Sequence, residues 1–280
     1  MIGSHGQTVW HSPVKPRPET IQLGDPQHLA NLLGIRTVGQ FRQADLSAGG
    51  QGAPLAPLLH RALLRPDAGV RGVLNLGGIA NLSVLQPDGA VRGFDTGPGN
   101  CLLDTWARRH TGEAYDAGGR WAAGGEVNTQ LLDLLLADPF FAMKPPKSTG
   151  VEYFNIYWLQ GRLSAMRAAA GDVVREQDIQ ATLAELTARS VADRIAAEGV
   201  TELVVCGGGV HNQDLIRRLR RAAAEIEITS TARHGLDPDW LEGVLFAWLA
   251  RERIAGRPQQ TGPITGAREP VLLGEIFDPC

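Results

Sequence analysis

The sequence predicts an α/β protein in which a largely parallel sheet is covered by helices. From Glu202 onward, strand and helix patterns alternate: strand Glu202–Cys206, helix from Asn212 to about Ala224, strand Glu225–Ser230, helix Asp239–Arg253. That order builds parallel pairs and leaves ligands at the carboxyl ends of the strands. Upstream, the β-rich runs Val73–Leu76 and Ile79–Leu85 flank Gly77-Gly78. This is a hairpin signal, because both glycines can take the positive φ that a tight turn requires.

From the N-terminus, Ile2 precedes Gly3-Ser4-His5-Gly6-Gln7-Thr8 like the tail of a strand entering a polar loop. Ser12–Glu19 holds three prolines, which forbid regular pairing, so it reads as surface loop. Helical spacing follows at Pro26–Leu33, and a domain boundary is expected just before Gly72, separating residues 1–71 from residues 72–280. Beyond the hairpin, Pro87-Asp88-Gly89 turns the chain into a strand toward Phe94. Helices are expected over Cys101–His110, Asn128–Leu136 and Tyr157–Ala170. The clearest helix starts at an Asp178 or Thr182 cap, sets Leu183, Leu186, Val191 and Ile195 on one face and ends at Gly199.

With 280 residues, 43% hydrophobic and 20% charged, the chain has the composition of a folded globular protein of about two domains. A formal charge of -3 leaves no positive field for a nucleic acid partner. An anionic ligand must then be held by backbone N–H groups, helix N-termini or a metal. Cys101, Cys206 and Cys280 are odd in number and far apart, so they read as reduced thiols rather than a disulfide or zinc framework. No apolar run is long enough to cross a bilayer, and the N-terminus lacks a signal-peptide profile. The reading is a cytoplasmic protein with no membrane partner.

Four segments can carry chemistry. Val204–Cys206 leaves a strand through Gly207, Gly208 and Gly209 and enters a helix that Asn212 can cap. Glycines admit a flat ligand or a phosphate to the backbone, and a helix start favours negative charge, although a plain strand-to-helix turn reads the same. Asp95, followed by Thr96-Gly97-Pro98-Gly99-Asn100, is a carboxylate at a strand end that can act as a general base, hold a metal or merely cap a turn. Arg42 and Asp45, leading into Gly49-Gly50-Gln51-Gly52, form a sugar-binding set or a surface turn. His5 and Gln7 can hydrogen-bond hydroxyls, and Glu242 sits beside the apolar stripe Leu241, Val244, Leu245, Phe246 and Trp248, where burial would demand a partner. Lys147-Ser148-Thr149 is superficially like the end of a Walker motif, but the glycines before it are missing.

Together, and in this order, these segments resemble the 1,6-anhydro-N-acetylmuramic acid kinases of the sugar-kinase/actin/heat-shock ATPase superfamily. The matching stretches are Gly3–His11, Phe41–Pro57, Leu74–Leu82, Gly93–Asp104, Pro145–Asn155, Asp178–Ser190, Val205–Asn212, Gly235–Ala250 and Gly266–Gly274. Each is weak alone; nine collinear matches are specific.

The resemblance implies a two-lobed, ribonuclease H-like fold with a mixed sheet in each lobe. Residues 1–71 would lie on the substrate side, and residues 72–280 would carry the nucleotide and catalytic loops. It implies ATP and Mg²⁺ as cofactors, an amino sugar as substrate, and a homodimer. The product would be N-acetylmuramic acid 6-phosphate in peptidoglycan recycling. Asp95 matches the family's general base, with Glu242 assisting; His5, Gln7, Arg42, Asp45 and Gln51 would meet the sugar. Asn75, Gly77 and Gly78 would form the second phosphate hairpin, and with Gly97, Gly207, Gly208, Gly209 and Asn212 would hold the nucleotide. Family members also carry a first phosphate hairpin ahead of the Gly3–Thr8 point, which this numbered sequence does not contain. The expectation is therefore an incomplete first lobe, with a same-superfamily sugar or polyol kinase, or an inactive binding remnant, as alternatives. A dehydrogenase is disfavoured, because the ribose-binding acid expected about 20 residues after the glycine loop is not convincingly placed: Glu225 and Glu227 lie only at or before the next strand.

Overall fold

A computed structural model describes residues 1–13, 18–170 and 173–280. It is a mixed α/β protein of two compact units, one formed by Met1–Arg65, Asp88–Arg92 and Trp240–Cys280, the other by Pro66–Pro87 and Gly93–Asp239. The expected boundary at 71/72 differs from this packing in three places. The first stretch of the first unit ends at Arg65, and both Asp88–Arg92 and the tail from Trp240 join the first unit instead of the second. Long-range pairing decides this. Glu275–Phe277 pairs antiparallel with Thr37–Gly39, and the latter pairs in parallel with Ile2–Gly3. The Leu241–Ile254 helix packs on Ile2–Gly3, where a Cβ at Gly3 would run into the Phe246 carbonyl.

In the first unit Gln7–Ser12 and Glu19–Leu23 form an antiparallel pair. Of the proline-rich stretch expected as a loop, residues 14–17 lie outside the described residues. Pro26–Leu33 is helical as expected; Asp25 caps it by accepting from the N–H groups of Gln27 and His28, and Gly34 closes it with a φ of 62°.

The second unit holds, apart from Val91 and Arg92, a five-stranded sheet in the order Val91–Pro98, Ile79–Leu85, Arg71–Leu76, Glu202–Cys206, Glu227–Ser230. Arg71–Leu76 runs antiparallel to Ile79–Leu85 and parallel to Glu202–Cys206, which in turn is parallel to Glu227–Ser230. The sheet is therefore mixed, as the resemblance implies, and not the largely parallel one expected from the strand–helix alternation, because the Gly77-Gly78 hairpin reverses the chain before the crossovers begin. Leu74, Leu82 and Val205 pack beneath Val191 and Ile195 of the Glu176–Ala197 helix and beneath Leu215 and Leu219 of the Gln213–Ala222 helix. A second core joins Leu103 and Trp106 to Leu131, Phe154, Leu183 and Leu186.

The Glu176–Ala197 helix is thus enclosed on nearly all sides, and its buried polar residues need internal partners. Thr187 Oγ1 donates to the Pro98 carbonyl at 2.9 Å, and Glu185 pairs with Arg218 and Arg221. The cap expected at Asp178 or Thr182 is not one: the helix begins at Glu176. Asp178 sits in the first turn paired with Arg175, while Thr182 Oγ1 donates to the Asp178 carbonyl and accepts the Asn128 N–H. Among the described residues no helix is long and apolar enough to cross a membrane.

Candidate active site

Asp95 lies within the Val91–Pro98 strand, three residues before its end, and one short segment grips it twice. Its backbone N–H donates to the Lys147 carbonyl at 3.0 Å, and its Oδ2 accepts the Thr149 N–H at 2.8 Å. Oδ1 makes no hydrogen bond among the described residues. Burial pushes the carboxyl up to about 6, with Glu152 adding to the rise and the Thr149 N–H and Lys147 charge opposing it. A carboxyl held near 6 is ionised at neutral pH and still basic enough to take a proton.

The segment itself is anchored. The buried Lys147 donates from Nζ to the Phe140 carbonyl at 3.0 Å and lies 4.2 Å from the centre of the Phe140 ring. Phe140 belongs to a short helix, Pro139–Ala142, capped by Asp138. The Asp138 carboxylate is buried and accepts from the Phe140 N–H, Tyr153 hydroxyl, Trp158 indole and Arg162 guanidinium. Burial alone would raise it, but these four donors outweigh that and hold it below its usual value.

Gly97 and Gly99 serve packing. Gly97 has a φ of 151°, and a Cβ there would meet Phe141 Cε1 at 2.7 Å. At Gly99 a Cβ would collide with the Gly77 carbonyl. The hairpin tip is bonded to the start of the Cys101–Thr111 helix: Gly99 and Cys101 donate to the Gly78 carbonyl and Asn100 to the Gly77 carbonyl. The expectation of positive φ at Gly77 and Gly78 is corrected, since neither adopts it; the return from Leu76 to Ala80 spans a three-residue loop instead. A Cβ at either would meet only ordinary contacts at 3.5 Å or beyond.

The glycine loop after Cys206 divides its labour. Gly207, at φ 79°, lies so close to Asn75 Oδ1 and the Leu76 backbone that no Cβ fits, and a Cβ at Gly209 would strike Leu76. Around Gly208 no atom of the described residues stands within 4 Å of a Cβ. Asn212 caps the Gln213–Ala222 helix as expected, its Oδ1 accepting the Leu215 N–H at 3.0 Å. Asn75, one position before the end of its strand, pairs with Cys206 and Asn81.

The residues expected to meet sugar all belong to the first unit. His5 stacks on Phe246 at 4.2 Å, and its Nε2 lies 3.0 Å from Arg42 Nη2, while its Nδ1 is buried without a partner among the described residues. Burial and then the Arg42 charge lower its pKa to about 4, so it is neutral at physiological pH. Arg42 also donates to the Gly52 carbonyl at 2.7 Å, and its Nε is buried with no partner among the described residues.

Asp45 departs from its expected role. It is fully buried, and its two oxygens take the Gly52 N–H at 2.6 Å and the Thr265 hydroxyl at 2.8 Å. It therefore closes the glycine-rich loop and has no oxygen facing solvent. Gln7 and Gln51 are exposed, the latter bonded through its N–H to the Thr265 carbonyl. Glu242 is exposed in the first turn of its helix, so the buried, partner-requiring carboxylate considered from its apolar neighbours is not what forms. Asp95 and Glu242, paired as catalytic residues in the sequence reading, fall in different units.

Other participants were not singled out from the sequence. Gln22, Gln40 and Gln43 line, with His5 and Asp25, a polar cavity of about 550 Å³ in the first unit. Gln40 has a φ of 53°, which an ordinary side chain rarely adopts, and such strain marks functional positions. The amide spacing 22, 40, 43 has no local period that would reveal it. Lys147 and Thr149 were visible as a rejected phosphate-loop match and as part of the matching stretch Pro145–Asn155, without a role.

A family model described as anhydro-N-acetylmuramic acid kinase matches residues 1–279. The chain belongs to this kinase family. An anhydro-N-acetylmuramic acid kinase of Xanthomonas campestris pv. campestris (strain 8004) is 50% identical over 278 residues, covering 99% of this chain and 72% of that protein. The one from Chromohalobacter salexigens is 50% identical over 285 residues, covering 99% and 75%. Among solved structures, xylulose kinase from Rhodospirillum rubrum aligns with a TM-score of 0.43 at 16% identity, over 85% of this chain and 49% of that one. The anhydro-N-acetylmuramic acid kinase family thus accounts for the collinear order of the loops around Asp95 and Gly207.

Proposed function

We propose that this protein is an ATP-dependent kinase that opens 1,6-anhydro-N-acetylmuramic acid with water and phosphorylates O6. The observation that carries the reading is Asp95, a carboxyl raised to about 6, with one oxygen fixed by Thr149 and the other without a partner among the described residues. Asp95 takes the proton of a water whose oxygen bonds to the anomeric carbon. The C1–O6 bond breaks, and the departing O6 accepts the γ-phosphoryl of ATP, giving the 6-phosphate and ADP.

The nucleotide is assigned to the Gly207–Gly209 loop and the Asn75–Gly78 hairpin end. The open space around Gly208 and the positive φ of Gly207 fit close approach by a flat or anionic ligand. Mg²⁺ is proposed to come with the ATP, where it neutralises phosphate charge; among the described residues no group of three or more His, Cys, Asp or Glu could hold a metal. For the sugar we assign the polar cavity of His5, Gln22, Gln40 and Gln43, with Gln7, Arg42 and Gln51 nearby in sequence. Neutral imidazole and amides suit hydroxyl and N-acetyl groups, which offer donors and acceptors without charge. Peptidoglycan recycling in the cytoplasm and a homodimeric state belong to the same proposal.

The test is incubation with ATP and the anhydro sugar in ¹⁸O-water. One ¹⁸O at C1 and none in the phosphate is expected; label in the phosphate, or phosphorylation of simple polyols at a matching rate, would overturn the reading.

A further inference from the structure

We infer that Lys147 is a positioning residue for Asp95: its buried ammonium, locked on the Phe140 carbonyl and ring, holds the segment that fixes both the backbone and the carboxylate of the base. This rests on the reading of Asp95 as the base.

The geometry runs through consecutive contacts. Asp138 caps the Pro139–Ala142 turn and, with its four donors, sets where the Phe140 carbonyl points. Lys147 reaches that carbonyl at 3.0 Å from a site only 6% exposed. Its own carbonyl accepts the Asp95 N–H, and two residues on, Thr149 donates to Asp95 Oδ2. One more step along the chain, Gly150 starts the turn whose carbonyl accepts from Tyr153 and Phe154, returning it to the aromatic cluster under Asp138.

A buried ammonium with one carbonyl acceptor is an expensive way to pin a loop, since a neutral side chain would avoid the desolvation. The position of its charge explains why a lysine stands there. Lys147 and Glu152 act on Asp95 with opposite sign, and Arg194 and Asp95 act on Lys147. The cation favours the ionised base, offsetting the burial that opposes it. Burial, with Arg194 adding, lowers Lys147 itself to about 8, so its support for the ionised base fades above that pH.

The experiment uses the full chain labelled with ¹³C at aspartate carboxyls, the Asp95 resonance being identified by its loss in Asp95→Asn. In the unmodified chain this resonance should titrate near 6 and show a second inflection near 8, as Lys147 loses its proton. In Lys147→Met, with folding checked by circular dichroism, the first midpoint should move upward and the second inflection vanish. ATP-dependent turnover should fall about tenfold to hundredfold, as for a displaced catalytic group, with KM for ATP changed less than threefold. Lys147→Arg should keep the first midpoint. A single inflection in the unmodified chain overturns the inference even if the methionine variant does not fold. So does an unchanged midpoint in Lys147→Met, whatever its turnover, since a purely structural lysine would leave the titration alone. Retained turnover in Asp95→Asn would instead sink the assignment of the base, a separately readable failure.

Discussion

Thr149 donates its backbone N–H to Oδ2 of Asp95 at 2.8 Å, leaving Oδ1 without a protein partner among the described residues. One oxygen is thus oriented and the other is available. Asp95→Asn keeps an acceptor for Thr149 but cannot take a proton, so turnover should drop by about 10²–10⁴-fold. Kinetics of the purified variant check this, and activity within a few-fold of the parent rules Asp95 out as base.

The same carboxyl sets two pH dependences of known sign. As a base it works ionised, so kcat/KM should fall as pH drops through about 6. For stability, the folded chain binds the proton more tightly than the unfolded one between 3.8 and about 6. Asp95 therefore disfavours the folded state increasingly as pH rises through that window. Asp95→Asn should melt higher than the parent at pH 7, and the difference should shrink toward pH 4; equal melting temperatures at both pH values contradict a raised carboxyl.

Adjacent glycines should behave oppositely. Gly207→Ala forces a Cβ into Asn75 and the Leu76 backbone at a positive φ, so it should lower the melting temperature whether or not nucleotide is present. A Cβ at Gly208 has no described atom within 4 Å, so in Gly208→Val the fold should hold while ATP affinity weakens far more than sugar affinity. Calorimetric titration with each ligand decides it, and undiminished ATP binding in Gly208→Val removes the loop from the nucleotide site.

Gly97→Ala should destabilise by about 1–3 kcal/mol, the usual penalty of an overpacked interior, because its Cβ meets the Phe141 ring. Phe141→Leu in the same chain should restore part of the loss in a denaturant melt. An identical loss with and without Phe141 would assign the penalty to backbone conformation.

Asp45→Ala leaves the Gly52 N–H without its buried acceptor, while the Thr265 hydroxyl keeps the Thr261 carbonyl, a loss of about 1–3 kcal/mol. Urea unfolding should show it. A variant as stable as the parent but deficient in sugar binding would return Asp45 to the role its sequence suggested.

Local chemistry made many elements legible. Asp25 and Gly34 bracket a helix, Asn212 caps another, and the runs around Gly77-Gly78 pair as a hairpin. Within the site, the strand position of Asp95 and the glycines 207–209 could be read because strand-to-loop transitions carry short-range signals. Asp45 and Glu242 could not be placed from sequence, since neither residue type nor spacing says whether a carboxylate turns inward: Asp45 is buried by donors at 52 and 265, Glu242 points to solvent.

By itself the sequence determined the α/β class, most helix spans, the family and the loops around Asp95 and Gly207. Tertiary structure alone decided that the 240–280 tail belongs with the first unit and that Lys147 and Thr149 serve Asp95. The physical reason is range. Caps, turns and periodicity act over a few residues, whereas the strand pairing of Glu275–Phe277 with Thr37–Gly39 and the bond from Thr149 to Asp95 join positions far apart in the chain, fixed by which surfaces the packed core brings together.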